Sequence, residues 1–399
     1  GGCWAWLPVE AGAARDAEAC LVAEAEWRAG EAARAAASPA ERRPPTAPAA
    51  AAGSGEGDSW DEGELGGELP EHSTGGVALQ SLVRLELNLE GLARPPDLRG
   101  ATQLRSLSLN SNALPSLAGL PPTLEELSAR ENKVRGLGGL RGMSRLRHLC
   151  LSQNRLEGSL GGIGGAAPNL RVLEVQCNAL SSLEGAEGLP GLDRLVAYRN
   201  ELTALGCLDG LSRLSYLDAG RNSIDRAEGL GGLLHLETLI LYHNRLEAPP
   251  RDAHVLLKQL WLNNNRIPGA LPPPPWAPCL QVLKLSDNEI ASLPPLFALP
   301  SLETLDLSFN RLQGLAELLP LRPCGGVERV SLNDNPCAEL PGYRPLLAAL
   351  LPRLVDLDTA PLPPAERDAL RGQHLAADPR LGPAALRLAP HTWGGRLVA

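Results

Sequence analysis

Aromatic residues are scarce. They make up 3% of the 399 residues, as seven Trp, four Tyr and two Phe. A core of any size must therefore be aliphatic. Lysine is nearly missing, occurring only as Lys133, Lys258 and Lys284, so arginine carries the positive charge. No excess of positive charge exists either. The net charge of −9 argues against a dedicated nucleic-acid binder, which shows a basic stripe. The eight cysteines, at 3, 20, 150, 177, 207, 279, 324 and 337, form no C-x-x-C pair and no cysteine-rich flank. That excludes the usual zinc spacings and points to free thiols in a reducing compartment. No apolar run approaches the length of a membrane span. The chain opens on Gly1 rather than Met, which leaves room for a targeting segment upstream.

What is present is a repeat. Leu280 to Ser301 reads L-Q-V-L-K-L-S-D-N-E-I-A-S-L-P-P-L-F-A-L-P-S, and the next copy starts at Leu302. Both follow L-x-x-L-x-L-x-x-N-x-L, the leucine-rich repeat pattern. Its asparagine recurs as Asn112, Asn132, Asn154, Asn178, Asn200, Asn222, Asn244, Asn265, Asn288, Asn310 and Asn335, at gaps of 20 to 25 residues. Twelve copies begin at Leu82, Leu104, Leu124, Leu146, Leu170, Leu192, Leu214, Leu236, Leu257, Leu280, Leu302 and Val327. In each, x-L-x-L-x predicts a short strand. Every coil returns to the same edge, so the strands pair in parallel, and a spacing of about 4.8 Å gives an inner arc of roughly 55 Å. Gly and Pro in the second half of each copy, such as Gly138-Gly139, discourage long helices and predict 3₁₀ turns. The expected fold is an α/β leucine-rich repeat solenoid: one parallel concave sheet, short helical convex segments and a C-terminal helical cap. The asparagines are structural, each amide donating and accepting toward the backbone of adjacent coils. Glu90 stands where the first copy would have Asn, which suits an atypical terminal repeat.

The array occupies residues 77–335. Before it, residues 1–37 are Ala-rich and predict a helix over about Glu10 to Ala37, with Trp4 and Trp6 as a candidate adhesive pair. Residues 38–76 are dense in Pro, Gly and acid and read as a disordered linker. Gly53 to Gly57 superficially resembles a phosphate loop, but no Gly-Lys-Ser/Thr follows it. The Pro-rich run Pro272 to Pro275, with Trp276, reads as a tolerated convex loop.

After the array, residues 336–358 read N-terminally as P-C-A-E-L-P-G-Y-R-P and predict an amphipathic helix over about Tyr343 to Leu351, shielding the last coil. Residues 359–399 are expected to form a loosely held tail. Pro336, Tyr343, Arg344, Leu350, Pro352, Leu354, Leu357 and Asp358, with Glu366-Arg367 beyond, match the C-terminal cap of intracellular leucine-rich repeat proteins. Period, asparagine ladder and cap together resemble the 22-residue repeat subclass typified by the nuclear regulatory subunit of protein phosphatase type 1. A spliceosomal protein and an axonemal dynein light chain share that cap. The resemblance implies a non-enzymatic chain that binds proteins on its concave face. It implies an intracellular setting in cytoplasm, nucleus or cilium, and a type 1 phosphatase catalytic subunit as a candidate partner. A phosphatase regulator, an axonemal adaptor and a spliceosomal adaptor all remain open.

The residues point to the same face. Counting each copy's first Leu as one, positions three, five, seven and eight turn to the concave side or its rim. Tyr198, Tyr216, Tyr242, Trp261 and Phe309 all fall there, with Arg199, Arg221, His243 and Asp306. Leucine fills the core, so these rings are expected to be exposed and free for a partner, and rings beside Arg are the usual make-up of a binding hot spot. His148, Cys150 and Cys177 offer a candidate metal or nucleophile set, but zinc wants further ligands that the sequence does not place nearby. No catalytic residue, metal or cofactor is expected, nor direct nucleic-acid or membrane contact, and the chain is expected to be a monomer.

Overall fold

The computed structural model describes residues 78–377, except 253, 271–277 and 295–298, with backbone alone for 374–377. The expected helix over 1–37, the linker 38–76, Trp276 and the tail beyond 377 lie outside the described residues.

Each coil contributes one strand of three residues. The twelve are β1 (Arg84–Glu86), β2 (Ser106–Ser108), β3 (Glu126–Ser128), β4 (His148–Cys150), β5 (Val172–Glu174), β6 (Arg194–Val196), β7 (Tyr216–Asp218), β8 (Thr238–Ile240), β9 (Gln259–Trp261), β10 (Val282–Lys284), β11 (Thr304–Asp306) and β12 (Arg329–Ser331). They pair in parallel in chain order, and the central leucines stay in register: Leu195 faces Leu217, which faces Leu239. Two cap strands complete the sheet, β13 (Asp356–Leu357) in parallel and β14 (Ala360–Pro361) antiparallel.

Alternation along a strand sends its middle residue inward. Leu85, Leu107, Leu127, Leu149, Leu173, Leu195, Leu217, Leu239 and Leu260 are all buried there. The convex leucines, such as Leu117, Leu140, Leu205 and Leu208, close the same core from the other side. Between them run 3₁₀ turns, including Gly138–Leu140 and Gly206–Leu208, and one short helix, Ile163–Ala166. Two small parallel ladders also stitch this side, Glu157–Gly158 with Ala179–Leu180 and Pro268–Ala270 with Glu289–Ser292. Coils approach closely there. A Cβ on Gly164 would stand 2.6 Å from the Gly188 Cα.

Each asparagine ties two coils together. Asn244 Nδ2 donates to Ala219 O of the preceding coil at 3.0 Å and to Leu241 O and Tyr242 O of its own at 3.0 and 3.3 Å. Its Oδ1 accepts from Ile224 N at 3.0 Å. The residue before each ladder asparagine adopts a left-handed conformation, φ +50° to +58°, from Ser111 to Asp334. None of these is glycine. Such a conformation costs on the order of 1 kcal/mol. It turns the backbone N–H onto the next coil, as Arg221 N does to Tyr242 O at 2.8 Å.

The C-terminal end is closed by a helix, Tyr343–Leu350. Inside the array, Leu307 N donates to Ser331 O of the following coil. After β12 the Asp358 carboxylate takes that role, accepting from Leu332 N at 2.8 Å and from the Tyr343 hydroxyl at 2.9 Å. The segment expected to be a loose tail begins differently. Residues 364–377 form a second helix, tied by Arg344 to Glu366 at 3.0 Å and by Arg367 to Leu354 O at 3.2 Å. Pro364 opens that helix, and the run to Leu370 holds good helix formers.

Candidate partner-binding face

The face of the sheet turned away from the leucine core is built by the first and third residues of each strand and the residues that follow. Across β6 to β10 it carries Arg194, Val196, Tyr216, Asp218, Thr238, Ile240, Trp261 and Lys284. Tyr198 and Tyr242 stand just beyond their strands. These side chains form a layer separate from the leucine core.

The sequence expected exposed rings, and the structure places most of them under cover. Tyr216, Tyr242 and Trp261 are 8%, 7% and 3% exposed, Tyr198 is half-buried, and Phe309 alone is well exposed, at 50%. Strands under 5 Å apart bring neighbouring side chains onto one another. The Arg194 guanidinium lies 3.6 Å from the Tyr216 ring centroid, and Lys284 Nζ 4.1 Å from that of Trp261. These are cation–π distances. Arg221 stands 6.0 Å from the Tyr242 ring, and His243 meets that ring edge-on at 5.5 Å. Tyr242 also lies against Gly220, where a Cβ would overlap its ring. Glycine at that position clears the space, a role that scanning for large residues passes over.

Arg199, Arg221, His243 and Phe309 are not strand residues. Each is the left-handed residue of its coil's turn, so they project from the strand ends beside the rings. Asp306 sits half-buried on β11, accepting from Ser308 Oγ at 2.7 Å, away from the Tyr216–Trp261 group.

Asp218 was not singled out by sequence reasoning. It is 2% exposed between Val196 and Ile240, its carboxylate accepting from Gly220 N at 3.0 Å. Burial pushes its carboxyl up to about 7, against the Gly220 hydrogen bond and the nearby Arg194 charge. Among the described residues, three buried polar atoms on this face find no hydrogen-bond partner: Gln176 Oε1, Trp261 Nε1 and Asn263 Oδ1. Such an atom costs about 1–3 kcal/mol unless water or a ligand supplies the missing group.

Cys150 is buried, its thiol pushed up to about 11 by burial and by Glu174, with Ser152 Oγ at 3.3 Å. Cys324 and Cys337 are likewise raised to about 11 by burial. A protonated thiol is neither nucleophile nor ligand. Among the described residues no three His, Cys, Asp or Glu converge as a metal site, and no helix is long and apolar enough to cross a membrane.

A family profile for leucine rich repeats, in two copies, matches residues 280–320. With the twelve coils it settles the architecture. The chain is a leucine-rich-repeat solenoid. No curated protein matches it. Among solved structures it is similar to an internalin of Listeria monocytogenes, at 20% identity and TM-score 0.54, over 71% of this chain and 88% of that one. It is similar also to a leucine-rich repeat protein of Leptospira interrogans, at 25% identity and TM-score 0.55, over 71% and 79%. A third likeness is to a chain in the octameric complex of latrophilin 3, Unc5D and FLRT2, at 20% identity and TM-score 0.58, over 67% and 88%. These likenesses concern the fold.

Proposed function

We propose that this protein is a non-catalytic scaffold that grips a protein partner on the open face of its sheet, across β6 to β10. Leucine-rich-repeat solenoids present extended concave surfaces for protein binding. The observation that carries the reading here is the trio of unpartnered buried polar atoms, Gln176 Oε1, Trp261 Nε1 and Asn263 Oδ1, among cation-capped rings. Each of these atoms is buried, so a partner backbone would reach them only once the side chains covering them swing aside on binding. Tyr198, Tyr216, Tyr242 and Trp261 would form the centre, Arg199, Arg221 and His243 the rim, and Asp306 and Phe309 an outlying contact. Resemblance of repeat and cap to the phosphatase-regulating subclass makes a type 1 phosphatase catalytic subunit the first partner to test. The family's phosphatase-binding face is more acidic than the basic middle found here, so axonemal and spliceosomal partners are tested beside it.

Arg199 and Phe309 are exposed, so substituting them leaves folding intact, whereas Trp261 is buried and its variant needs a stability control. Direct binding to each candidate is measured for the wild type, Arg199→Glu and Phe309→Ala, and for Trp261→Ala with its melting temperature. Loss of an anchor ring is expected to weaken binding by roughly thirtyfold. A partner that binds all of these variants as well as the wild type would remove the open face from consideration.

A further inference from the structure

A second surface lies on the edge that precedes the strands. Arg105, Glu125, Arg147, Arg171 and Asp193 each stand one residue before a strand of the sheet. Backbone bonds hold them in line: Arg147 N donates to Glu125 O, Arg171 N to Arg147 O and Asp193 N to Arg171 O, each at 2.8 Å. Arg145 and Arg213 reach the same edge from the turns. Two adjoining cavities of about 420 and 540 Å³ open there, sharing Asn169 and Arg171.

The charges are unbalanced. Five arginines line these cavities against two carboxylates. Glu125 is taken by Arg105 at 3.3 Å, and Asp193 accepts from Ser215 Oγ at 2.7 Å. Among the described residues no carboxylate lies within ion-pair distance of Arg145, Arg147, Arg171 or Arg213, and all four are exposed. The corresponding edge positions of later coils include Glu237, Glu303 and Glu328. Nothing in the leucine core requires this segregation, since edge side chains do not enter it. Four guanidinium groups with no carboxylate at ion-pair distance, gathered along one edge, need another explanation.

We propose that this arginine edge binds an extended acidic segment of a partner protein. Guanidinium groups pair with carboxylates through two parallel hydrogen bonds. Arg147 and Arg171 stand on adjacent coils about 4.8 Å apart, and their long side chains can spread to meet acidic residues about 6.8 Å apart on one side of an extended peptide. Glu125 and Asp193 interrupt the line; a peptide can set uncharged residues opposite them, which a continuous polyphosphate cannot. The site uses none of the open-face residues, so it stands or falls separately from the scaffold reading.

The experiment measures fluorescence anisotropy of a labelled peptide of alternating Glu and Ser with the full chain at low salt. Its Gln–Ser counterpart and a single-stranded oligonucleotide serve as further probes. Binding of the Glu peptide is expected, weakening as salt rises. Arg147→Glu and Arg171→Glu should each lower affinity by roughly tenfold or more with melting temperature unchanged. Arg266→Glu, an exposed arginine elsewhere, should leave it as it was. Equal binding of the Gln peptide, tighter binding of the oligonucleotide, indifference to both edge reversals, or an equal loss with Arg266→Glu would overturn the proposal. A variant with Glu62, Glu64, Glu68 and Glu71 changed to Gln closes the test. If it binds the peptide while the wild type does not, the partner assignment fails in favour of the chain's own acidic stretch.

Discussion

At Asp218 a carboxyl of ordinary composition acquires unusual chemistry from its place. Its folded pKa of about 7 lies well above the ordinary aspartate value of 3.8. The folded state therefore holds the proton more tightly than the unfolded state. Its contribution is full at pH below about 4 and is lost as pH rises toward 7, with each unit worth on the order of 1.4 kcal/mol before relaxation of the site. Asp218→Asn should remove that dependence. Melting temperature followed from pH 5 to pH 8 is expected to fall for the wild type and to stay flatter for the variant; parallel curves would show that Asp218 does not titrate in this range. The ladder gives a second residue-scale prediction with the same sign. Asn244→Asp keeps the acceptor for Ile224 N but turns a carboxylate onto Ala219 O, Leu241 O and Tyr242 O. Its cost should exceed that of Asn244→Ala, itself about 1–3 kcal/mol. Acid should restore part of it, because the protonated form again donates. Denaturant titrations at pH 4.5 and 7.5 decide the matter.

At the scale of the element, leucine and asparagine were legible because each has a single task per coil. One leucine points inward from each of the first eleven strands, with Val330 in the twelfth, and one asparagine closes each turn from the second coil on, so spacing alone located both. The left-handed turn before each asparagine was not legible, since its occupants include Ser111, Cys177, Arg221 and Phe309 and no glycine marks it. The cover over Tyr216, Tyr242 and Trp261 was hidden for another reason. It arises between coils, from Arg194, Gly220 and Lys284, residues more than twenty positions apart from some of the rings they serve. The arginine edge escaped because position two of the repeat was not counted among the outward positions. The cap helix shows what one hydrogen bond contributes. Tyr343→Phe removes only the hydroxyl that donates to Asp358 at 2.9 Å, and should cost about 1–2 kcal/mol. Leu354→Asp is harsher: Leu354 is 0% exposed, and a buried unpaired charge there should open the last coil and cause aggregation. Light scattering and melting curves of both variants test the order, and an unaggregated Leu354→Asp protein with wild-type stability would deny the helix its capping role.

At the scale of the whole array, stability is expected to be a sum over neighbouring coils rather than a property of one core. Residues 1–76 hold fourteen acidic and five basic side chains, so the remainder of the chain, array included, is formally neutral. Long-range charge repulsion therefore contributes little to how the coils hold together, and contacts between adjacent coils decide. Position along the array should then matter more than the chemistry of a substitution. Leu85 and Leu217 occupy the same place in their strands and are 3% and 0% exposed. Either change to Ala removes about 2–5 kcal/mol of packing. Leu85→Ala lies in the first coil, which can fray and leave the coils from β2 onward intact. Leu217→Ala lies in β7, where a local opening exposes two new coil faces at once and cannot be shed at an end. Native-state hydrogen exchange should show faster exchange confined to residues 78–110 for Leu85→Ala, with little change in melting temperature. For Leu217→Ala it should show loss of protection on both sides of β7 and a clear fall in melting temperature. Equal loss from the two substitutions, spread over all twelve strands, would mean that the array unfolds as a single unit and that coil position carries no weight.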